Sequence, residues 1–540
     1  MTSLKEFTTT TSDFSQYHST KKLKQLAEHP FDLVEKDHIN PERISKFSAE
    51  SCGYKLLYGT ERVDEETMNT LFELAGEADV IHKMEKMQAG EIMNFIQGFP
   101  SENRTVLHTA TRDFFDNPNK AKAASEAAKL AKQEIERLKT FIAQNDRDNK
   151  FKDLYIVGIG GSDLGPQAHY LALKHLQKPN RTIHFISNVD PDNVALVLKD
   201  ARLKESLVLV NSKSGTTLET ATNDAFLRDK FKQAGLRPEQ HFVSISCKGS
   251  PLDNPKEYLE CFYIWDWIGG RFSTTSLVGG FILAFAFGMD VYWEFLKGAN
   301  SMDKAALNSD IRNNLPLLGA LLGIWNRNFL KHPILAIIPY SQALGRYTAH
   351  LQQLDMESNG KRIDQKGHPA DFETGPIIFG EPGTSAQHSF FQLIHQGTTI
   401  VPVEFIGYRY NQYDEDFTWK GTTSKEKLNA NLLAQALALA TGKTNSNPDK
   451  FFPGNRPSHI LLSKQLTPYS LGTLLAYYEH KIAFQGFVWG INSFDQEGVQ
   501  LGKELAMNII ERMALQNNKS KGNLAPYPIG EAYLKILQSL

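Results

Sequence analysis

Residues 153–166 read DLYIVGIGGSDLGP, and this stretch decides the fold. Its apolar start, Leu154 to Val157, predicts a buried strand that ends directly in a glycine-rich turn. The three glycines of the turn allow backbone conformations and close approaches that side chains block, and Ser162 adds a hydroxyl. If a helix begins near Asp163, its first N–H groups and the positive end of its dipole face the turn. The stretch therefore predicts an anion-binding turn between a strand and a helix.

Dinucleotide-binding folds use a similar turn, but the spacing here argues against one. Their fingerprint G-x-G-x-x-G places a third glycine where this chain has Asp163. The acid that would bind a ribose also falls late, because Asp190 lies more than about twenty residues beyond the turn. The sequence thus favours a phosphate site over a nicotinamide cofactor. A plain tight connection is the remaining interpretation of such a turn taken by itself.

A second phosphate-type segment follows the apolar run Leu207 to Val210. The segment consists of Asn211, Ser212, Lys213, Ser214, Gly215, Thr216 and Thr217. Hydroxyls, one ammonium and backbone amides in such a short run form a compact cradle for one phosphate monoester. The Walker order G-x-x-x-x-G-K-[ST] is absent, so nothing supports a nucleoside triphosphate site. A Ser/Thr-rich helix cap is the simpler interpretation of this loop taken by itself.

The composition is that of an ordinary globular protein with more than one domain. A chain of 540 residues exceeds what one hydrophobic core organises, and 41% hydrophobic residues suffice for sizeable cores. A formal charge of −2 with mixed signs offers no general attraction to nucleic acid or to anionic membranes. Cys52, Cys247 and Cys261 lack C-x-x-C spacing. This argues against a disulfide framework and structural zinc, and it favours a reducing cytoplasm.

The order of apolar segments predicts two α/β domains. Strand-like runs alternate with helix-length segments after a predicted helix at Ala121 to Ile142, which favours a parallel sheet. These runs are Leu154 to Val157, Thr182 to Ile186, Leu207 to Val210, His241 to Ser246 and Phe262 to Ile264. A second set comprises Ile334 to Ile338, Thr399 to Glu404 and Ser458 to Leu462, with a helix at Leu428 to Ala440.

No membrane span and no secretory signal are expected. The longest apolar run, Leu277 to Met289, is shorter than the roughly twenty residues that a spanning helix needs. It therefore predicts a buried helix. The amino terminus has no apolar core followed by a cleavage site.

Four further segments carry chemically capable side chains. Arg271 stands in GGRFS, where a permanently charged guanidinium suits an anionic intermediate. Glu357, in QQLDMESNGK, is a candidate base. His388 closes GEPGTSAQH, which places an imidazole just past a turn. The segment FDQEGVQLGK supplies Gln496 and Lys503.

In chain order, GIGGSDLGP, SKSGTT, GGRFS, MESNGK, GEPGTSAQH and GVQLGKEL resemble the glucose-6-phosphate isomerase family. The similarity covers most of the chain. The joint order outweighs the simpler interpretation of each residue as a solvated or structural group. The resemblance implies reversible isomerisation of glucose 6-phosphate and fructose 6-phosphate through ring opening and a cis-enediol, without a metal or an organic cofactor.

The resemblance also implies catalytic roles. Glu357 matches the base that moves a proton between C2 and C1. His388, assisted by Lys503, matches the group that opens the sugar ring. Arg271 matches the cation that stabilises the enediolate.

Binding positions follow from the same resemblance. Gln353 and Gln496 match positions that line the sugar, where amides suit hydroxyl recognition. The family's phosphate-binding set is matched by Gly161, Ser162, Ser212, Lys213, Ser214, Gly215, Thr216 and Thr217. This set anchors the end of the sugar that does not react.

By resemblance the fold is two sugar-isomerase (SIS) α/β domains with parallel-rich sheets flanked by helices. The smaller domain would span 118–288, the larger one 1–117 and 289–500, and a helical tail 501–540. Family members are homodimers in which the histidine equivalent to His388 reaches the neighbouring subunit's active site. Neither nucleic acid nor membrane is an expected partner.

Two alternatives share this fold. A non-catalytic sugar-phosphate sensor needs the phosphate cradle, but it does not need a base, an imidazole, a guanidinium and a lysine together. An isomerase that also accepts mannose 6-phosphate is the second alternative. By resemblance that group carries a threonine in place of the sugar-lining glutamine, so Gln353 argues against it.

Overall fold

The computed structural model describes residues 12–517 and 524–540. The described residues up to Phe494 form one compact unit, and those from Asp495 onward form a second. Residues 1–11, most of the amino-terminal stretch in which we expect no secretory signal, lie outside the described residues. Residues 518–523 of the predicted tail also lie outside them.

Strands of the described residues form two large sheets and two short ribbons. Their bounds are β1 (Ser48–Ser51), β2 (Tyr54–Leu57), β3 (Ile92–Asn94), β4 (Arg104–Thr105), β5 (Asp153–Val157), β6 (Thr182–Ile186), β7 (Ser206–Asn211), β8 (Phe242–Ser246), β9 (Glu260–Tyr263), β10 (Ile334–Pro339), β11 (Ile377–Phe379), β12 (Val403–Tyr408), β13 (Thr418–Trp419), β14 (Thr422–Thr423) and β15 (Ser458–Ser463).

Helices of the described residues occur in both units. Their bounds are α1 (Asp13–Gln16), α2 (His18–Leu26), α3 (Pro41–Lys46), α4 (Glu65–Glu77), α5 (Val80–Ala89), α6 (Lys122–Asp148), α7 (Leu164–Ala172), α8 (Pro191–Leu198), α9 (Leu218–Gln233), α10 (Leu277–Phe287), α11 (Met289–Ala305), α12 (Leu315–Ile324), α13 (Tyr347–Gln352), α14 (Gly383–Gln387), α15 (Phe391–Gln396), α16 (Ser424–Thr441), α17 (Pro468–Trp489), α18 (Gln500–Gln516) and α19 (Pro528–Gln538). Two 3₁₀ turns, Gly160–Ser162 and Gly270–Phe272, and one π-helical turn, Gln353–Glu357, bear on the site.

The five-stranded sheet confirms the predicted parallel series. Its order is β6-β5-β7-β8-β9, and every neighbouring pair is parallel. The chain leaves β5 for β6 on one side and then crosses back to β7 on the other. In open parallel sheets, ligands bind outside the carboxyl ends of the strands where the order reverses in this way. Both predicted phosphate turns directly follow β5 and β7.

The six-stranded sheet is mixed, with the order β1-β2-β15-β12-β10-β11. Its four later strands run parallel, whereas β2 pairs antiparallel with both β1 and β15. The predicted strand Thr399–Glu404 is wrong in its bounds, because β12 begins only at Val403. Pro402 has no N–H to donate to a ladder, so pairing starts after it.

The apolar run from Leu277 confirms the predicted buried helix. All eleven residues of α10 are buried, and the helix ends at Gly288, whose φ of 108° is unfavourable for other residues. Among the described residues, one segment, Gly270–Phe287, is long and apolar enough to cross a membrane. Since 94% of it is buried inside the structure, it has the environment of a core helix.

Helices α11 and α17 pack with their backbones in close contact. A Cβ at Gly298 would lie 1.9 Å from the Tyr469 carbonyl oxygen, and one at Gly472 would lie 1.9 Å from that of Phe295. Larger residues at these two glycines would push the helices apart. The packing holds α17, whose residues are almost all buried, against the elements that carry the site.

The second unit consists of a 3₁₀ turn followed by α18 and α19. Arg512 of α18 contacts Glu531 of α19 at 2.7 Å, and its guanidinium lies 5.7 Å from the centre of the Tyr527 ring. The domain boundaries at 118, 288 and 500 remain a prediction. The strands of the five-stranded sheet all fall between residues 118 and 288.

Candidate active site

The glycine-rich turn after β5 lies directly against the backbone that carries Arg271. Gly160 has a φ of 59°, and the chain then makes a 3₁₀ turn before α7 begins. A Cβ at Gly161 would lie 2.2 Å from both the carbonyl carbon and the oxygen of Gly270. Only glycine therefore fits at position 161. The Ser162 hydroxyl makes no hydrogen bond within residues 12–494.

The loop after β7 is held together by its own hydroxyls. Ser212 Oγ lies 3.0 Å from Thr217 Oγ1 and accepts a hydrogen bond from the Gly215 amide at 3.1 Å. Gly215 adopts a φ of 70°. The Thr217 hydroxyl makes no capping bond to α9, so the first amides of this helix lack a side-chain cap from it.

Lys213 connects this loop to the Arg271 segment. Its ammonium donates to the Ile268 carbonyl oxygen at 3.2 Å, three residues before Arg271. Burial, and to a lesser degree the nearby Arg104 guanidinium, lowers the pKa of the Lys213 ammonium. A bound anion would favour the charged form and reverse this effect.

The Arg271 side chain is buried, and hydrogen bonds hold its guanidinium in place. Its side chain is 1% exposed. Nε donates to Ser358 Oγ and Nη2 donates to the Ser493 carbonyl oxygen, both at 2.6 Å. Nη1 lies 3.5 Å from Glu357 Oε2. The sequence thus places a permanent cation beside the candidate base.

The π-helical turn Gln353–Glu357 positions that base. Glu357 is 21% exposed at the end of the turn. Gln353, at its start, faces the glycine turn, since a Cβ at Gly160 would lie 3.3 Å from Gln353 Nε2. Gln353 Oε1 is buried and has no hydrogen-bond partner among the described residues. A buried acceptor without a partner is costly, and a ligand hydroxyl would satisfy it.

The structure brings one group of the predicted residues together. Three chain segments meet: the turn after β5, the Gly270–Phe272 turn and the π-helical turn. The loop after β7 joins them through Lys213. The Glu357 carboxylate, the Arg271 guanidinium and the Gln353 amide thus lie beside the two predicted phosphate turns.

His388 is not joined to this group by any hydrogen bond or ion pair within residues 12–494. It follows α14, its side chain is exposed, and its own amide donates to the Ser385 carbonyl oxygen at 3.0 Å. Gln496 and Lys503 lie in the second compact unit, at the start of its 3₁₀ turn and in the first turn of α18.

Sequence reasoning missed Ser358 and Ser493, which both hold Arg271. Ser358 follows Glu357 directly in the quoted MESNGK segment, so its position was a usable signal. Ser493 uses a backbone carbonyl, which no side-chain pattern indicates. No group of three or more His, Cys, Asp or Glu side chains in residues 12–517 and 524–540 is arranged to hold a metal ion.

Comparison with known proteins agrees with these motifs. Residues 57–525 match the family described as phosphoglucose isomerase. The chain belongs to the phosphoglucose isomerase family. It is 60% identical over 530 residues to a glucose-6-phosphate isomerase of Protochlamydia amoebophila, with 98% of both chains covered. It is 49% identical to that of Chlamydia caviae, covering 98% of this chain and 99% of the relative.

A solved structure supports the same family assignment. The crystal structure of a glucose-6-phosphate isomerase from Chlamydia trachomatis superposes with a TM-score of 0.93 and 49% sequence identity. The match covers 97% of this chain and 99% of that one. The family relationship therefore extends over both sheets and the helices around them.

Proposed function

We propose that this member of the phosphoglucose isomerase family interconverts glucose 6-phosphate and fructose 6-phosphate through ring opening and a cis-enediol. The observation that carries the proposal is the position of the Glu357 carboxylate, 3.5 Å from the Arg271 guanidinium. The two predicted phosphate turns, after β5 and β7, adjoin this pair. The full-length relatives are named for this isomerisation, which favours it over a sensor.

Glu357 acts as the proton carrier. Isomerisation moves a proton between C2 and C1, so one base that reaches both carbons serves as acceptor and then as donor. A carboxylate at the end of a helical turn, partly open to solvent, has this reach.

Arg271 stabilises the negative charge of the enediolate. Its guanidinium is oriented before substrate arrives, because two of its nitrogens are bonded to Ser358 and Ser493. A donor held in place in this way needs no reorganisation during the reaction and is worth about 3 kcal/mol of transition-state stabilisation.

The two turns after β5 and β7 hold the phosphate. The Ser162 hydroxyl, the Lys213 ammonium and the uncapped amides of α9 are suited to a phosphate monoester. Binding energy from this remote end then positions the reacting carbons near Glu357. The Gln353 acceptor would take a sugar hydroxyl.

His388, Gln496 and Lys503 complete the proposal as groups for ring opening and sugar contact. We infer a homodimer in which His388 serves the site of the second copy. Its exposure and its lack of side-chain partners within residues 12–494 support that role. A cytoplasmic location is also inferred, and the three free cysteines agree with a reducing compartment.

The test is conversion of fructose 6-phosphate followed by NMR in D₂O with a chelator present. Wild type should form glucose 6-phosphate carrying deuterium at C2, and Glu357→Gln should lose at least about 1,000-fold in kcat. Substrate binding without turnover in the wild type would overturn the proposal. Mannose 6-phosphate in a parallel sample measures whether the site also accepts the C2 epimer.

A further inference from the structure

Asp355 is a buried carboxyl group that the proposed mechanism does not use. It stands in the middle of the π-helical turn, two residues before Glu357, and is 4% exposed. Its Oδ1 has no hydrogen-bond partner among the described residues. A charged group without full hydrogen bonding is expensive to bury, so its presence next to the candidate base calls for a reason.

The surroundings of Asp355 contain a buried chain of alternating charges. His459 Nδ1 lies 2.7 Å from Glu61 Oε1, and His459 Nε2 lies 3.0 Å from Glu404 Oε2. Lys481 of α17 pairs with the same Glu404 oxygen. Glu61 also accepts from Asn326 Nδ2 at 3.0 Å. The chain ends with the Lys481 ammonium, whose charge acts on Asp355.

Asp355 is the unbalanced member of this set. Glu61 and Glu404 match the positive charges of His459 and Lys481, which leaves the Asp355 carboxylate as an extra negative charge. Burial raises the pKa of Asp355 to about 7, against the opposing effect of Lys481 and with the support of Glu404. The Asn359 amide also favours the ionised form.

The same polar groups connect Asp355 to the catalytic side of the turn. Asn359 Nδ2 donates to the Ile482 carbonyl oxygen of α17 at 3.1 Å, and Asn359 Oδ1 accepts from Ser493 Oγ at 2.7 Å. Ser493 in turn holds Arg271 through its carbonyl oxygen. The π-helical turn is thus attached to α17 on its buried side and presents Glu357 on the other.

The π-helical turn is an unusual element that these attachments hold from its buried side. Such turns are rare and are frequent at functional sites. Gln353 and Glu357 lie four residues apart and share one face of the turn, whereas Leu354 and Asp355 are buried on the other. Anchoring the buried face therefore fixes the direction of the catalytic face.

We propose that Asp355 is a positioning residue that sets the placement of Glu357, through Asn359 and the Lys481 end of the buried charge chain. This inference rests on the proposed function, because the effect is read in proton transfer by Glu357. Displacing a catalytic group by about 1 Å costs about 100-fold in rate. Asp355 itself does not touch the substrate.

The experiment compares Asp355→Leu, which removes both oxygens, with Asp355→Asn, which keeps an acceptor for Asn359. We expect Asp355→Leu to lower kcat about 100-fold and Asp355→Asn about 10-fold or less, with KM within about threefold of wild type in both. In D₂O, the fraction of product carrying deuterium at C2 should rise in both variants, because a displaced Glu357 hands its proton on more slowly.

Asp153→Leu is the matched control. Asp153 is also a buried aspartate paired with a cation, Arg202 at 2.6 Å, but it lies at the amino end of β5, opposite the glycine turn. The Asp153→Leu substitution should lower the thermal midpoint without changing kcat or the deuterium fraction.

A double-mutant cycle that combines Asp355→Leu with Glu357→Asp should show strongly non-additive effects on kcat.

Several results would overturn the inference. One is that Asp355→Leu has the same kcat and the same deuterium fraction as wild type. Another is that Asp153→Leu loses as much kcat as Asp355→Leu. Additivity with Glu357→Asp would also count against it. If Asp355→Leu does not fold, the deuterium fraction of Asp355→Asn decides the question. Failure of the proposed function is distinguishable, since wild type itself would then show no turnover.

Discussion

Arg271 and His388 occupy opposite environments within the same compact unit. The Arg271 side chain is 1% exposed and is held by Ser358, Ser493 and Glu357. His388 is exposed at the end of the five-residue helix α14, and its side chain has no hydrogen bond or ion pair within residues 12–494. The chain thus buries the Arg271 guanidinium beside a partly exposed Glu357, but it leaves the His388 imidazole on its surface.

This difference separates two ways of building an active site. Groups that must hold charge in a fixed direction are supported by buried hydrogen bonds, and their removal affects folding as well as catalysis. A surface residue can serve a second copy of the chain, because a symmetric dimer places the same surface on both partners. The two residues therefore predict different mutational signatures.

The largest effect is expected for Arg271→Ala. On the proposed mechanism, removing the guanidinium takes away the stabilisation of the enediolate, and it also removes the cation that lies 3.5 Å from Glu357. We expect kcat to fall by about 1,000-fold or more and the free energy of unfolding to fall by about 3 kcal/mol. Steady-state turnover and denaturant unfolding measure the two losses.

Arg228→Ala is the control for this prediction. Arg228 also pairs with carboxylates, Asp224 at 2.9 Å and Glu257 at 3.2 Å, but it lies on α9 outside the predicted site. It should reduce stability and leave kcat unchanged. Turnover within tenfold of wild type in Arg271→Ala would contradict the role given to the guanidinium.

His388→Gln should lose activity without losing stability. We expect kcat to fall about 100-fold or more while the free energy of unfolding changes by less than about 0.5 kcal/mol, because the side chain is exposed. His388→Gln would then lose activity without a matching loss of stability, whereas Arg271→Ala should lose both. A large loss of stability would show that His388 is a structural residue of its own chain.

Mixing two inactive variants tests whether sites are shared. If His388 serves the second copy, a heterodimer of His388→Gln and Glu357→Gln contains one site with both residues intact. After equal mixing and reassociation, activity should recover to about one quarter of wild type. No recovery, with heterodimer formation verified by native mass spectrometry, would place both residues in the same chain's site.

Glu357, Arg271 and Gln353, which we call the fixed half of the site, could be predicted from the sequence better than the residues that hold them in place. The apolar runs before GIGGS and SKSGTT predicted β5 and β7, because parallel strands buried on both faces read as continuous hydrophobic runs. Glu357, Arg271 and Gln353 do lie together. The predicted strand Thr399–Glu404 begins too early, because Pro402 cannot donate a hydrogen bond to the ladder and β12 starts only at Val403.

The π-helical turn and its anchors had no local signal. Asn359 is hydrogen-bonded to α17, and Arg271 is hydrogen-bonded to Ser493; both contacts join segments more than 100 residues apart. Such supports arise from tertiary packing, which single-sequence patterns do not contain. The roles of His388, Gln496 and Lys503 stay predictions, because the first compact unit by itself does not join His388 to the other predicted residues, and Gln496 and Lys503 belong to the second unit.

A smaller effect is expected for Gly161→Ala, which tests the close approach of the glycine turn to the Arg271 backbone. The new Cβ would lie 2.2 Å from the Gly270 carbonyl, so the turn must move. We expect a loss of about 2 kcal/mol in stability and a rise of about tenfold in KM, since the phosphate turn is displaced.

Gly76→Ala is the matched control for the turn. A Cβ at Gly76, inside α4, has nothing within 4 Å, so it should be neutral or stabilise by up to about 1 kcal/mol, with KM unchanged. Equal KM values for Gly161→Ala and wild type would show that the turn does not hold the substrate.

The smallest effect concerns pH and the buried chain behind the fixed half of the site. Burial opposes charge on His459, but Glu404 and Glu61 outweigh it and raise the pKa of His459 to about 9. The native state therefore keeps this proton to higher pH than the unfolded chain, whose histidine titrates near 6.5. The stabilisation is complete below pH 6.5 and is lost as pH rises through 9. We expect the free energy of unfolding to fall by about 1 to 3 kcal/mol over that range.

Two histidine variants separate the core from the surface in this pH dependence. His459→Gln should flatten the decline between pH 7.5 and 9, a window above the pKa of about 7 that burial gives to Asp355 and Glu479. His388→Gln should keep the wild-type decline, because its exposed imidazole has no buried partner to lose. Denaturant unfolding at half-unit pH steps measures both curves. An unchanged slope in His459→Gln would mean that the buried chain does not hold the extra proton. The support of the fixed half would then come from packing against α17 rather than from charge.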